Sequence, residues 1–241
     1  MIHIPGIVLI VFGLFAGLSL SASAQNTSNK GIDFWVAYAG HIDAKVSRMT
    51  LFLSSDVNTT YQVEANGQTV SAGSISANVI TPVFVDPNIV DVHIATSDVV
   101  ESNKGIHITS GSPISVYSII SNSARTGGSL ILPTKSLGRE YYAFSYQNAG
   151  GAQGGNAKSE FTILAVEDNT EIEITPTTSS FNGARQANTT FKITQKLNKG
   201  DIYQYQSAND VSGSLIRTLG SCKPIAVFSG STWSAFCEDG N

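Results

Sequence analysis

The sequence predicts an all-β protein built from two related antiparallel β-sandwich-like units. Three observations carry this reading. Thr, Ser, Gly, Asn and Val are abundant, a composition that favours strands and turns. Strand signals recur about every ten residues with turn residues between them. Four short motifs occur twice, in the same order. Gly31-Ile-Asp-Phe-Trp-Val-Ala37 returns as Gly138-Arg-Glu-Tyr-Tyr-Ala-Phe144, and Ser47-Arg-Met-Thr-Leu51 as Ser159-Glu-Phe-Thr-Ile163. Asn58-Thr-Thr-Tyr-Gln-Val63 returns as Asn169-Thr-Glu-Ile-Glu-Ile174, and Pro113-Ile-Ser-Val-Tyr-Ser118 as Pro224-Ile-Ala-Val-Phe-Ser229. The offsets are 107, 112, 111 and 111 residues. Residues 31–137 are read as a first β module and 138–241 as a second.

The strands expected in the first module span 34–39, 49–54, 61–65, 79–85, 91–95, 105–109, 114–120 and 129–132. Those of the second span 141–146, 161–166, 171–175, 190–194, 201–206, 215–219 and 225–229. Glu171-Ile-Glu-Ile-Thr175 puts both isoleucines on one face, the mark of a half-buried antiparallel strand. Asn66-Gly67 and Asn182-Gly183 are hairpin signals, and Lys199-Gly200-Asp201 is a further turn. Seven or eight short strands per module fit a sandwich. A propeller-like or continuous β array is the alternative, with each repeat making two blades. The counterpart of Ser129-Leu-Ile-Leu-Pro133 would begin at residue 240, where the sequence ends in Glu238-Asp-Gly-Asn241. The second module is therefore expected to be truncated.

The N-terminus reads as an export signal. Residues 7–20 are almost continuously apolar, and Ser21-Ala-Ser-Ala24 supplies the small residues a signal peptidase needs. The n-region holds no Lys or Arg. Residues 1–24 are assigned as signal peptide and 25–30 as a linker. The mature chain is expected to have no membrane span and to be secreted or held at the cell surface. With 14 Lys and Arg against 18 Asp and Glu, no basic stripe is available for phosphates. Nucleic acid is excluded as a partner on that ground.

The only two cysteines, Cys222 and Cys237, flank one apolar segment of an exported chain, and a disulfide between them is expected. They bracket Trp233, which has no aromatic counterpart at the aligned Asn122. Trp233 is the candidate contact residue. Ala149-Gly-Gly-Ala-Gln-Gly-Gly-Asn-Ala-Lys158 resembles a phosphate loop, but Lys158 follows Ala157 rather than Gly, and a strand follows. Gly150, Gly151, Gly154 and Gly155 are read instead as a hairpin loop open to a ligand.

Catalytic patterns are weak. Ser231 lies in Ser229-Gly-Ser-Thr232, not in G-x-S-x-G, and no helical pattern follows it. His41, His93 and His107 lack metal-ligand spacing, and no calcium-loop pattern is present. No catalytic residue, metal or cofactor is assigned. The pairs Phe34-Trp35 and Tyr141-Tyr142, at one position of both repeats, are read as core.

Several of these motifs also occur in a known order. Gly31-Ile-Asp-Phe-Trp-Val-Ala, Lys104-Gly-Ile-His-Ile-Thr-Ser-Gly-Ser-Pro-Ile-Ser-Val-Tyr, Leu130-Ile-Leu-Pro, Leu137-Gly-Arg-Glu-Tyr-Tyr, Ser159-Glu-Phe-Thr-Ile, Glu167-Asp-Asn-Thr and Lys223-Pro-Ile-Ala-Val-Phe-Ser-Gly follow one another. This order resembles the IgG Fc-binding protein N-terminal domain family, in the style of exported proteins of Bacteroidetes. The resemblance implies a non-enzymatic extracellular recognition or adhesion module that binds protein or glycan through loops. The alternatives are a part of a secreted polysaccharide-degrading enzyme and a spacer in a long surface protein.

Overall fold

The computed structural model describes residues 28–94, 96–122, 125–146, 157–180, 192–220 and 222–234. The expected signal peptide and the hairpin at Asn182-Gly183 lie outside them. The described residues form two β-sandwiches, in agreement with the first of the two architectures expected from the sequence.

The first sandwich is one seven-stranded sheet folded back on itself through a single long strand, β7 (Ile106–Asn122). The early half of β7 pairs with β1 (Gly31–Val36) and with β3 (Thr59–Ala65), which in turn pairs with β4 (Gln68–Ile75). Its late half pairs with β8 (Arg125–Ile131) and with β2 (Arg48–Ser54), which pairs with β5 (Thr81–Val85). The pleat sorts the side chains. On β2, Met49, Leu51 and Leu53 are buried, while Thr50 and Phe52 face the other way. These join Phe34, Val63, Ile106, Ile108 and Val116 in one core. Burying each such side chain contributes roughly 1.5–3 kcal/mol.

Sequence reasoning expects two strands where β7 runs unbroken. The reason is Pro113, which reads as a strand entrance. It sits between the two halves, where no ladder partner needs its missing N–H, and is exposed there. Where a strand is expected over 91–95, the described residues 91–94 make only an isolated bridge, His93 to Tyr38. A short helical turn, α1 (Pro87–Val90), precedes them; Asp86 caps it by accepting from the Asn88 N–H, and Asp91 ends it at a φ of 47°. Strand β4 gives no sequence signal because Val70, Ala72 and Ile75 do not alternate cleanly among its small and polar residues, five of its eight residues being exposed. The turn that leads into it is legible: Asn66 and Gly67 both hold positive φ, as a tight hairpin requires.

The second sandwich stacks two four-stranded sheets. One runs β12 (Ile193–Leu197), β11 (Thr170–Thr175), β14 (Leu215–Thr218), β9 (Glu140–Tyr142). The other runs β15 (Ile225–Ser231), β10 (Ser159–Ala165), β13 (Ile202–Ser207), β6 (Val100–Glu101). Strand β6 belongs by sequence to the first repeat, yet it pairs with Ile202 and Tyr203 of the second sandwich.

Every residue of β10 and β13 is buried, although both are antiparallel and half their side chains point away from their own core. Phe161, Ile163, Tyr203 and Tyr205 fill the second sandwich. Leu164, Ile202 and Ala226, on the opposite face, pack against Trp35, Ala37 and Ile94 of the first repeat. The two sandwiches thus share an apolar seam. Gly105 is part of its fit, since a Cβ there would stand 2.6 Å from Leu164 Cδ1.

Candidate functional site

The face of β10, β13 and β15 that meets the first sandwich changes character along its length. At one end lie Leu164, Ile202 and Ala226, and the seam is closed. Toward the other end the same rows continue as Glu160, Thr162, Gln204, Gln206, Phe228 and Gly230, and there the sandwiches part. The result is a cleft of about 550 Å³. One wall is the β7–β8 hairpin, through Ser118, Ile120 and residues 125–129; the other is β15 and the segment after it, through residues 228–234. Residues 39–41 and Tyr146 complete the rim, and Glu160 lies at the base.

The base is a polar cluster held inside the protein. Gln206 Nε2 donates to Glu160 Oε2 at 2.6 Å, and Lys158 Nζ donates to Gln206 Oε1 at 3.1 Å. Gln204 Oε1 accepts from the Gly40 N–H at 3.0 Å, and Gln204 Nε2 donates to Thr96 O at 3.1 Å. Burial pushes the Glu160 carboxyl up to about 8, against smaller opposing pulls from Gln206 and Lys158. Glu160 is therefore protonated at neutral pH. Gly40 fits closely at this point: a Cβ would sit 2.4 Å from Glu160 Oε2 and 2.8 Å from Gln206 Nε2, so those side-chain ends would have to shift.

The rim carries the charge. Arg125 Nη1 donates to Asp43 Oδ1 at 2.8 Å, and its guanidinium lies over the Trp233 ring, 5.3 Å from the centroid. His41 stands beside them and accepts from the Asp43 N–H through Nδ1. Burial holds its imidazole below the ordinary histidine value, with Asp43 raising it and Arg125 lowering it. From Tyr146 an aromatic row leads away along alternate residues. Tyr142, Phe144 and Tyr146 are exposed, while Ala143 and Ser145 between them are buried. Phe144 and Tyr146 meet edge to face at 5.9 Å. The second aromatic pair of the repeat is split: Tyr141 packs partly buried against the second core, while Tyr142 is 68% exposed; Phe34 and Trp35 of the first pair are both buried.

Of the residues singled out from sequence, Trp233 lies in this cleft, half-buried beneath Arg125. Cys222 does not. It is a free, exposed cysteine whose Sγ accepts from Arg139 Nη1 at 3.3 Å. Its expected partner Cys237 lies outside the described residues, as do Gly150, Gly151, Gly154 and Gly155. Ser231 lines the cleft, with Oγ 3.0 Å from Lys158 O and 2.8 Å from Trp233 O, so its hydroxyl secures the turn after β15. His107 stacks on Trp35 at 4.3 Å and contacts Asp33 Oδ2 at 2.8 Å, on a separate groove lined by the first sandwich and, from the second, by Asp168, Lys199 and Gly200. Sequence reasoning missed Glu160, Gly40 and Arg125. Glu160 had a faint signal, as a carboxylate directly before the apolar run expected at 161–166.

A double all-β sandwich with an open cleft beside its closed seam defines a scaffold for contact. Residues 127–241, just under half of the chain, match the family model described as IgGFc binding protein. No curated protein matches the chain. One solved structure, an anti-sigma factor domain-containing protein, is similar over 82% of this chain and 80% of its own, at 10% identity and a TM-score of 0.22. At that score the likeness carries no argument.

Proposed function

We propose that this chain is a non-enzymatic recognition module, exported and displayed outside the cell, that holds a protein ligand in the cleft between its two sandwiches. The observation that carries the proposal is the cleft itself, with Trp233, Arg125 and Tyr146 on its rim and Phe144 and Tyr142 continuing from it. Aromatic and Arg side chains are the residues that dominate protein interfaces. The family match of residues 127–241 supports binding over turnover. The apolar leader at residues 7–20 supports export. Protein is favoured over glycan because a guanidinium already covers a face of Trp233, the surface a sugar ring would stack upon.

Protein and glycan arrays probed with the mature chain and with Trp233→Ala test this. The expected result is saturable binding to a protein, weakened roughly 10–30-fold in the variant, with no chemical change in the ligand. Release of a product from a glycan would overturn the reading in favour of an enzyme. Absence of any saturable ligand would leave the module a spacer.

A further inference from the structure

The first sandwich carries an apolar outer face that the described residues leave open. Cross-strand partners share one face of a sheet, so the ladders define it. Leu130 stands opposite Tyr117, Tyr117 opposite Phe52, and Phe52 opposite Pro82. In the next row Ile119 and Phe84 flank Thr50. Phe84 is 67% exposed, Tyr117 46% and Leu130 43%. No charged side chain interrupts these two rows. The other outer face of the same sandwich is polar, with Gln62 opposite Thr109 and Glu64 opposite His107. An antiparallel sheet whose outer face meets only water looks like the second of these, not the first. A contiguous exposed apolar patch marks a contact surface.

The duplication shows what such a face receives. Strand β2 lies between β7 and β5, and its repeat counterpart β10 lies between β15 and β13. The outer face of β10, β13 and β15 is the one that packs on the first sandwich. There Leu164, the counterpart of Phe52 at the offset of 112, lies with Ile202 and Ala226 against Trp35 and Ala37. Trp35 and Ala37 are alternate residues turned outward, while Phe34, Val36 and Tyr38 enter the first core. The seam therefore joins an outward row at the start of one repeat to an outer sheet face of the other.

Each half of that joint occurs a second time. At the offset of 107, Trp35 and Ala37 become Tyr142 and Phe144. These turn outward in the same way, with Tyr141 packed against the second core and Ala143 inside it. Tyr142 is 68% exposed and Phe144 73%. The receiving face recurs as the apolar face of β2, β5, β7 and β8. One chain thus bears an exposed row on its second sandwich and an exposed face on its first. Each matches the other rather than itself, which is the condition for a heterologous contact between identical chains.

We infer that the chain associates head to tail with a second copy of itself, Tyr142 and Phe144 of one copy packing on the Phe52, Phe84 and Tyr117 face of the next. The contact repeats the seam between copies. It does not depend on the cleft holding a ligand. Both surfaces are aromatic, and rings that meet offset or edge to face add to the gain from area burial. A heterologous contact leaves the same two surfaces free at the ends, so further copies extend a filament or close a ring.

Sedimentation velocity of the mature chain, without any ligand, tests this from low micromolar to several hundred micromolar protein. Dimers and larger species are expected to grow with concentration. Phe84→Lys on the face and Phe144→Lys on the row are each expected to weaken association at least about 10-fold. Both side chains are exposed, so both variants are expected to fold. The decisive measurement mixes the two. Phe84→Lys keeps its row and Phe144→Lys keeps its face, so an equimolar mixture is expected to form a dimer and nothing larger. Recovery of pairing in the mixture also shows that neither variant is misfolded. A chain that stays monomeric at several hundred micromolar overturns the inference. So does association that Phe84→Lys abolishes and Phe144→Lys leaves intact, the pattern of two copies stacked face to face. Association that neither variant weakens, or a mixture that does not pair, overturns it as well.

Discussion

The two sandwiches use one strand plan to opposite ends. In the first, β7 runs 17 residues and serves both layers, and β8 closes its outer edge. In the second the same role is split between β14 and β15, with Cys222 and Pro224 in the connection, and among the described residues no strand pairs the outer edge of β15. Repeat counterparts diverge accordingly. Arg48 of β2 is exposed at the start of its strand, while Glu160 of β10, at the offset of 112, is buried beneath the cleft. Phe52 of β2 stands half-buried on an outer face, while Leu164, its counterpart, is fully buried in the seam. Duplicating a sandwich created a second outer face, and covering that face with the first copy produced both the seam and the cleft.

The comparison breaks most visibly at the seam. Leu164→Ala is expected to cost about 2–5 kcal/mol, because it deletes a fully buried side chain between two sandwiches. Phe52→Ala is expected to cost less than about half as much, since no closed cavity forms. Urea unfolding of both variants measures the difference, and equal costs would mean that the seam contributes nothing.

Next in size is Gly40→Ala. The new methyl meets Glu160 and Gln206 at the base of the cleft, and a loss of about 1–3 kcal/mol is expected in the same assay. An unchanged midpoint would show that residues 39–41 lift away from β10 and β13.

The pH dependence sharpens the Arg48–Glu160 contrast. In the folded chain Glu160 titrates at about 8, above its ordinary value of 4.5. The folded state therefore keeps a proton that the unfolded state gives up. Stability from this group is whole below about pH 4.5 and is lost as pH rises through about 8. Glu160→Gln is expected to raise stability near pH 8 by roughly 1–2 kcal/mol and to flatten the profile across that window. Arg48→Gln, on an exposed side chain, is expected to change stability by no more than about 0.5 kcal/mol at either pH. A wild-type profile already flat from pH 5 to 8 would place Glu160 in contact with water.

Much of the fold is local in origin and so was legible in the chain. Alternation placed Met49, Leu51 and Leu53 on one face, Asn66-Gly67 made its hairpin, and the doubled motifs marked two sandwiches. Trp233 stood out because its repeat counterpart, Asn122, is not aromatic, and it lies in the cleft beneath Arg125. The expected pairing of Cys222 with Cys237 is a different case: Cys222 is exposed, and Cys237 lies outside the described residues.

The sequence by itself determined strand chemistry and the turns, because each depends on neighbours a few residues away, and the repeat, because matching motifs can be read without knowing what they touch. Only the tertiary structure decided what the repeat is for. It carried β6 into the second sandwich, set Arg125 over Trp233 and buried Glu160 against Gln206 and Gly40. These contacts join residues 46 to 120 positions apart, and no local period or propensity encodes such a meeting. They arise from the area gained when two half-finished faces cover each other, and the cleft lies where that covering stops.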